Sequence, residues 1–70
     1  MPSSVYKVIE IVGSSAESWE KAAQAALGKA SKSLRDLRVA EVAALDIHLD
    51  DKGKIAAYRT KLKVSFKFEG

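Results

Sequence analysis

The segment from Ile55 to Phe68 alternates most clearly: Tyr58, Thr60, Leu62, Val64, Phe66 and Phe68 share one parity, and Arg59, Lys61, Lys63, Ser65 and Lys67 share the other. Successive side chains of a strand point to opposite faces, so this pattern describes an antiparallel strand with one buried face and one wet face. At about 3.3 Å per residue the segment runs more than ~40 Å, well beyond the usual five or six residues of a strand. A chain of 70 residues needs no strand of that length for its own compact core, so the overhang requires something to pair with.

The residues upstream supply the partners. Val5 to Val12 reads V-Y-K-V-I-E-I-V, rich in β-branched residues and too short for an ordinary amphipathic helix, and predicts a first strand that Gly13 ends. Ser14 and Ser15 offer hydroxyls for a helix cap, with Glu17 three residues after Ser14 in the spacing of a capping box. Trp19, Ala22, Ala23, Ala26, Leu27, Ala30 and Leu34 then recur at steps of three and four, while Glu17, Glu20, Lys21, Gln24 and Lys32 occupy the other faces. This predicts one long helix over residues 15–34, whose alanine stripe lets it lie close across a sheet. Arg35, Asp36 and Leu37 read as the helix exit, Arg38 to Leu49 as a second strand, and Asp50-Asp51-Lys52-Gly53 as a compact turn whose glycine takes positive φ. The sum is strand, helix and long hairpin, with the helix on one face of a three-stranded sheet.

Composition narrows the function. With no cysteine there is neither a disulfide staple nor a thiolate zinc site, so oligomerisation is the remaining common remedy for a core this small. The net charge of +3 is dispersed among acids and lacks the stacking aromatics of a nucleic-acid module, which argues against nucleic acid as a partner. Met1-Pro2-Ser3-Ser4-Val5 lacks the basic segment and apolar core of a secretory signal, and no apolar run approaches the ~20 residues that span a bilayer. The expectation is a cytoplasmic protein without a membrane partner.

Chemistry-bearing residues are few. His48 is the only histidine and no cysteine accompanies it, so no nucleophile–base constellation is evident, and no glycine-rich phosphate loop exists. This chain is not expected to be an enzyme. Asp46, His48 and Asp50 alternate with Leu45, Ile47 and Leu49, so an undistorted strand places the three polar residues on one face with neighbours about 7 Å apart. A solvated strand face explains that pattern, and turn chemistry explains Asp50 and Asp51. Trp19 reads as a packing anchor at the start of the helix. A carboxylate repeated around a symmetry axis would nonetheless make a cluster that no single chain displays.

Four segments carry a family likeness: V-Y-K-V-I-E-I-V-G-S-S at residues 5–15, the following A-E-S-W-E-K-A-A, S-L-R-D-L-R-V-A-E-V at 33–42, and Y-R-T-K-L-K-V-S-F-K-F-E at 58–69. In order and residues the chain resembles the dodecin family, small strand-helix-strand-strand proteins that assemble into hollow dodecamers. The resemblance covers nearly the whole chain. It implies an α+β fold: one β-α-β-β domain over residues 1–70, with a three-stranded antiparallel sheet wrapped on one long helix. It also implies a homododecameric shell with helices outside and sheets inside.

Typical dodecins bind flavins in pairs at two-fold axes through a tryptophan at the start of the second strand and a glutamine on the third. The matching positions here are Val39 and Arg59. Losing the indole removes a stacking surface worth about 1–3 kcal/mol by analogy with base stacking, and arginine offers donors only. The chain is closer to the calcium-binding dodecins in its R-V-A stretch, in Asp46 and in its longer D-x-x-G-K-I hairpin. Asp46, acidic within an apolar strand, is the first candidate metal ligand, and Glu41 the second, against a plain cross-strand ion pair of Glu41 with Lys61 or Lys63. The expectation is a non-catalytic shell that binds or stores a small ligand or ion, calcium first. A shell that sequesters riboflavin or FMN is the alternative, and a purely structural assembly the third reading.

Overall fold

The structure, a computed structural model, describes residues 3–34 and 37–67. Arg35, Asp36 and Phe68, parts of the expected helix exit and last strand, lie outside the described residues. The element order is β1 (Tyr6–Ser15), α1 (Trp19–Ser33), β2 (Leu37–Leu49) and β3 (Ile55–Lys67). β3 lies in the middle of the sheet, in the order β1-β3-β2, and is antiparallel to both neighbours. Its clean alternation follows from that position. Paired on both edges, it meets α1 with one face, where Thr60, Leu62 and Val64 are buried and Tyr58 and Phe66 half-buried. Among the described residues no helix is long and apolar enough to cross a membrane.

The start of the helix differs from the expectation. Gly13 does not end β1, which continues to Ser15, and the capping residue is Ser18. The Ser18 hydroxyl accepts the Lys21 N–H at 3.0 Å, while Ser15 Oγ accepts the Glu17 N–H at 3.0 Å. Reading Ser14–Glu17 as a capping box therefore placed the helix one turn too early, because both serines are still on the strand. Gly13 has a different task. It is buried opposite Thr60 beneath α1, and a Cβ there would stand 1.9 Å from the Ala22 carbonyl oxygen and 2.9 Å from the Ala26 methyl. Glycine and the alanine stripe together let the helix backbone lie directly on the strand.

At the hairpin end the turn behaves as its sequence predicts. Asp50 Oδ1 accepts the N–H groups of Lys52 and Lys54 at 2.8 and 2.9 Å, and Gly53 takes φ 77. Three register shifts interrupt the β2–β3 ladder, between Leu37 and Val39, between Val42 and Ala44, and between His48 and Leu49. At the second, Ala43 has no ladder partner on β3; at the third, Ala56 has none on β2. Each inserted residue turns the following side chains to the other face, and the pair at Ala43 and Ala56, one on each strand, offset one another.

The helix covers β1 and β3 and reaches β2 chiefly through Trp19. On the helix side of β2, Val42 and Leu45 consequently remain 53% and 51% exposed. β1 ends opposite Tyr58, so beyond it the hairpin continues as a two-stranded arm, and the molecule measures 55 × 20 × 15 Å. Gly13→Ala tests the helix seat. Because backbone rather than a flexible side-chain end blocks the methyl, the cost reaches or exceeds the top of the ~1–3 kcal/mol range for overpacking. Urea unfolding followed by circular dichroism measures it; parental stability in this variant would mean that α1 does not lie on Gly13.

Candidate functional site

The sheet face turned away from α1 carries the polar chemistry. β3 contributes Arg59, Lys61, Lys63, Ser65 and Lys67, and the register sets residues of both neighbours beside them. Val8, Ser65 and Val39 form one row across the sheet; Glu10, Lys63 and Glu41 the next; then Val12, Lys61 and Ala44; then Ser14, Arg59 and Asp46. A spine of cations thus runs between two flanking strands, and three carboxylates lie beside it. Glu41 and Asp46 are five residues apart, which in an unbroken strand would put them on opposite faces. The extra Ala43 puts both on one face, and the unpaired Ala56 makes it the open one.

Asp46 and Arg59 are the structured pair of this surface. Arg59 Nε donates to Asp46 Oδ1 at 2.6 Å and Arg59 Nη2 donates to Oδ2 at 2.8 Å. Two parallel charge-assisted bonds of this kind fix geometry as well as charge. The main chain of Asp46 is held too, since its carbonyl accepts the Trp19 indole N–H at 3.1 Å. Trp19 is itself locked edge-on against Tyr58, with ring centroids 5.1 Å apart and planes at 72°. The Thr60 hydroxyl donates to the Trp19 carbonyl at 2.9 Å. Trp19 is therefore the packing anchor expected of it, tying the helix start to β3 and β2.

The other expected site residues lie farther apart. Val39 is 62% exposed at the opposite end of β2, where it pairs with Ser65, six positions and about 20 Å along β3 from Arg59. One protomer does not bring the Val39 and Arg59 positions together. Glu41 faces Lys63, about 13 Å along β3 from the Arg59 row, and no salt bridge closes across its row among the described residues. His48 shares the open face with Asp46, opposite Ala57, whereas Asp50 is absorbed in the turn. What sequence reasoning missed was the pairing of Asp46 with Arg59, two residues it had assigned to different ligands.

Residues 5–69 match the family model described as Dodecin. The chain belongs to the dodecin family. It is 55% identical over 64 residues to the calcium dodecin of Mycobacterium tuberculosis, covering 91% of this chain and 89% of that one. It is 42% identical over 65 residues to the dodecin of Thermus thermophilus, covering 93% of each. In three dimensions it is similar to the crystal structure of the M. tuberculosis calcium dodecin, a calcium-chelating immunodominant antigen with a novel calcium-binding site. The TM-score is 0.83 at 52% identity, over 93% of this chain and 91% of that one. Neither of these relatives bears the name of an enzyme.

The donor set of this dodecin suits a hard cation in kind but not in number. Carboxylates are calcium ligands, yet calcium takes six to eight oxygens, and among the described residues no three Asp, Glu, His or Cys side chains gather. Arg59 occupies both oxygens of Asp46, so a complete site has to draw donors from more than one chain or from water.

Hydrogen bonding by Arg59, reinforced by its charge, holds the Asp46 carboxyl below its ordinary pKa of 3.8. A carboxylate with a depressed folded-state pKa contributes stability that is full above the unfolded value and fades as the pH falls through the lowered one. The thermal midpoints of the parent and Asp46→Asn should therefore differ by a constant amount at neutral pH and converge below about pH 4. A gap that stays constant into acid would show that the ionised pair does not stabilise the fold.

Proposed function

We propose that this dodecin is a subunit of a hollow homododecamer that binds calcium on the open face of its sheets, with Asp46 as the principal carboxylate and Glu41 as the second. The observation that carries the reading is the placement of both carboxylates on the open face, achieved by the unpaired Ala43 and Ala56 together. A core-facing carboxylate would be closed to a cation. Oxygen donors favour calcium over zinc or copper, and symmetry around an axis supplies the copies of Asp46 that one chain lacks.

Assembly is supported by the protomer's own shape. Val42, Leu45 and Ile47 stand open on the helix side of β2, and Leu49 and Ile55 are exposed on the two-stranded arm. Isolated two-stranded ribbons are marginal in water, so the arm gains stability by lying against another chain. Burial of these side chains in the shell, with helices outward and sheets inward, turns the cation spine and its carboxylates toward the interior.

Light scattering on the purified protein should give a mass about twelve times the protomer's. Calcium should raise the thermal midpoint of that assembly, and the increment should grow with free calcium as preferential binding to the native state requires. Asp46→Asn should lose most of the increment and Glu41→Gln part of it. An increment untouched by Asp46→Asn removes Asp46 from the site. Absence of any increment, together with a flavin absorption band and quenching of riboflavin or FMN fluorescence, would establish the flavin-binding alternative instead. With Val39 and Arg59 at the pocket positions, flavin binding should be weak and should strengthen in the Val39→Trp, Arg59→Gln double variant.

A further inference from the structure

We infer that Arg59 is the resident counter-cation of Asp46, which calcium must displace in order to bind, so that Arg59 sets the calcium affinity of the shell. The inference rests on the calcium reading above and assigns Arg59 a role distinct from that of a pocket residue.

Both oxygens of the Asp46 carboxylate are occupied, at 2.6 and 2.8 Å, by the Nε and Nη2 donors of one guanidinium. A calcium ion contacts carboxylate oxygens at about 2.3–2.6 Å, and at such distances a guanidinium cannot keep the same two oxygens without facing the dication directly. Like charges this close repel, so the two cations exclude one another.

The two partners are unequally held. Asp46 is short, sits on a paired strand, and has its carbonyl fixed by the Trp19 indole, so its carboxylate stays in place. Arg59 is long, its side chain is 43% exposed, and no hydrogen bond other than those to Asp46 is made by its guanidinium among the described residues. Displacement therefore moves Arg59 into solvent and leaves the carboxylate aimed at the open face. The empty state avoids an unpaired carboxylate, and the cost of breaking the bidentate pair is subtracted from every calcium bound. Affinity is thereby set by a residue that never touches the ion.

Lys61 provides the control. It lies on the same face two residues from Arg59, opposite Val12 and Ala44, and carries the same charge without bonding Asp46. Calorimetric titration of the assembled protein with calcium chloride at fixed ionic strength should show Arg59→Gln binding at least tenfold more tightly than the parent. Arg59→Lys, which keeps the charge but loses the planar fork, should fall between them. Lys61→Gln should change affinity less than threefold, and Asp46→Asn placed on Arg59→Gln should abolish the gain. Should Arg59→Gln not assemble, Arg59→Lys decides alone. Equal calcium affinity in the parent and both Arg59 variants would overturn the displacement while leaving calcium binding standing. A gain in Lys61→Gln as large as in Arg59→Gln would reduce the effect to general charge and overturn it equally. Failure of calcium to bind the parent and every variant would overturn the calcium reading itself, and this inference with it.

Discussion

Everything in this protomer is arranged around the strict two-residue alternation of β3 at the centre of its sheet. One parity of that strand is the core, with Leu62 and Val64 each 1% exposed, and the other is a spine of Arg59, Lys61 and Lys63. Because β1 and β2 both pair with β3, every candidate site residue on them takes its face and its neighbour from that strand. The same alternation gives the sheet one face that a helix can seal and one that no described segment of the chain covers.

The sealing is achieved by close approach rather than by large side chains. Ala22, buried completely, lies over Gly13, so the helix needs little volume between itself and the sheet. The narrow contact also explains its incompleteness. A helix of 15 residues seated on β1 and β3 cannot extend over β2, and Trp19 is the side chain long enough to reach across. Its indole bond to the Asp46 carbonyl therefore links the core to the strand that carries the candidate ligands.

Element order, the helix-facing parity of β3, the Asp50–Gly53 turn and the role of Trp19 were legible in the sequence because each depends on local pattern. The end of β1 was not. Gly13 carries the same signal whether it breaks a strand or admits a helix, and only the position of Ala22 distinguishes the two. The pairing of Asp46 with Arg59 was hidden for a different reason. Counting back from the turn, where the Asp50 N–H donates to the Lys54 carbonyl at 2.8 Å, an undistorted ladder sets Asp46 against Tyr58 on the helix side. The unpaired Ala56 moves its partner to Arg59 and turns its side chain to the open face. The trace left in the sequence is a pair of adjacent alanines at each of these two irregularities, Ala43–Ala44 and Ala56–Ala57, which composition alone does not distinguish from an ordinary strand.

Those compensating irregularities connect fold to function. A bulge on one strand alone would leave the hairpin out of register at its turn; one on each strand confines the change to residues 44–48 and 57–61. Within that window the polar residues of β2 change faces while the core parity of β3 is preserved, so a carboxylate reaches the open face without a charge entering the core. Any reading of Asp46, whether as a calcium ligand, as the counter-charge of Arg59 or as both in turn, depends on that local exchange of faces. It also explains how an acidic residue is tolerated within an apolar strand: the strand places Leu45 and Ile47 toward the helix side and Asp46 between them toward the open face.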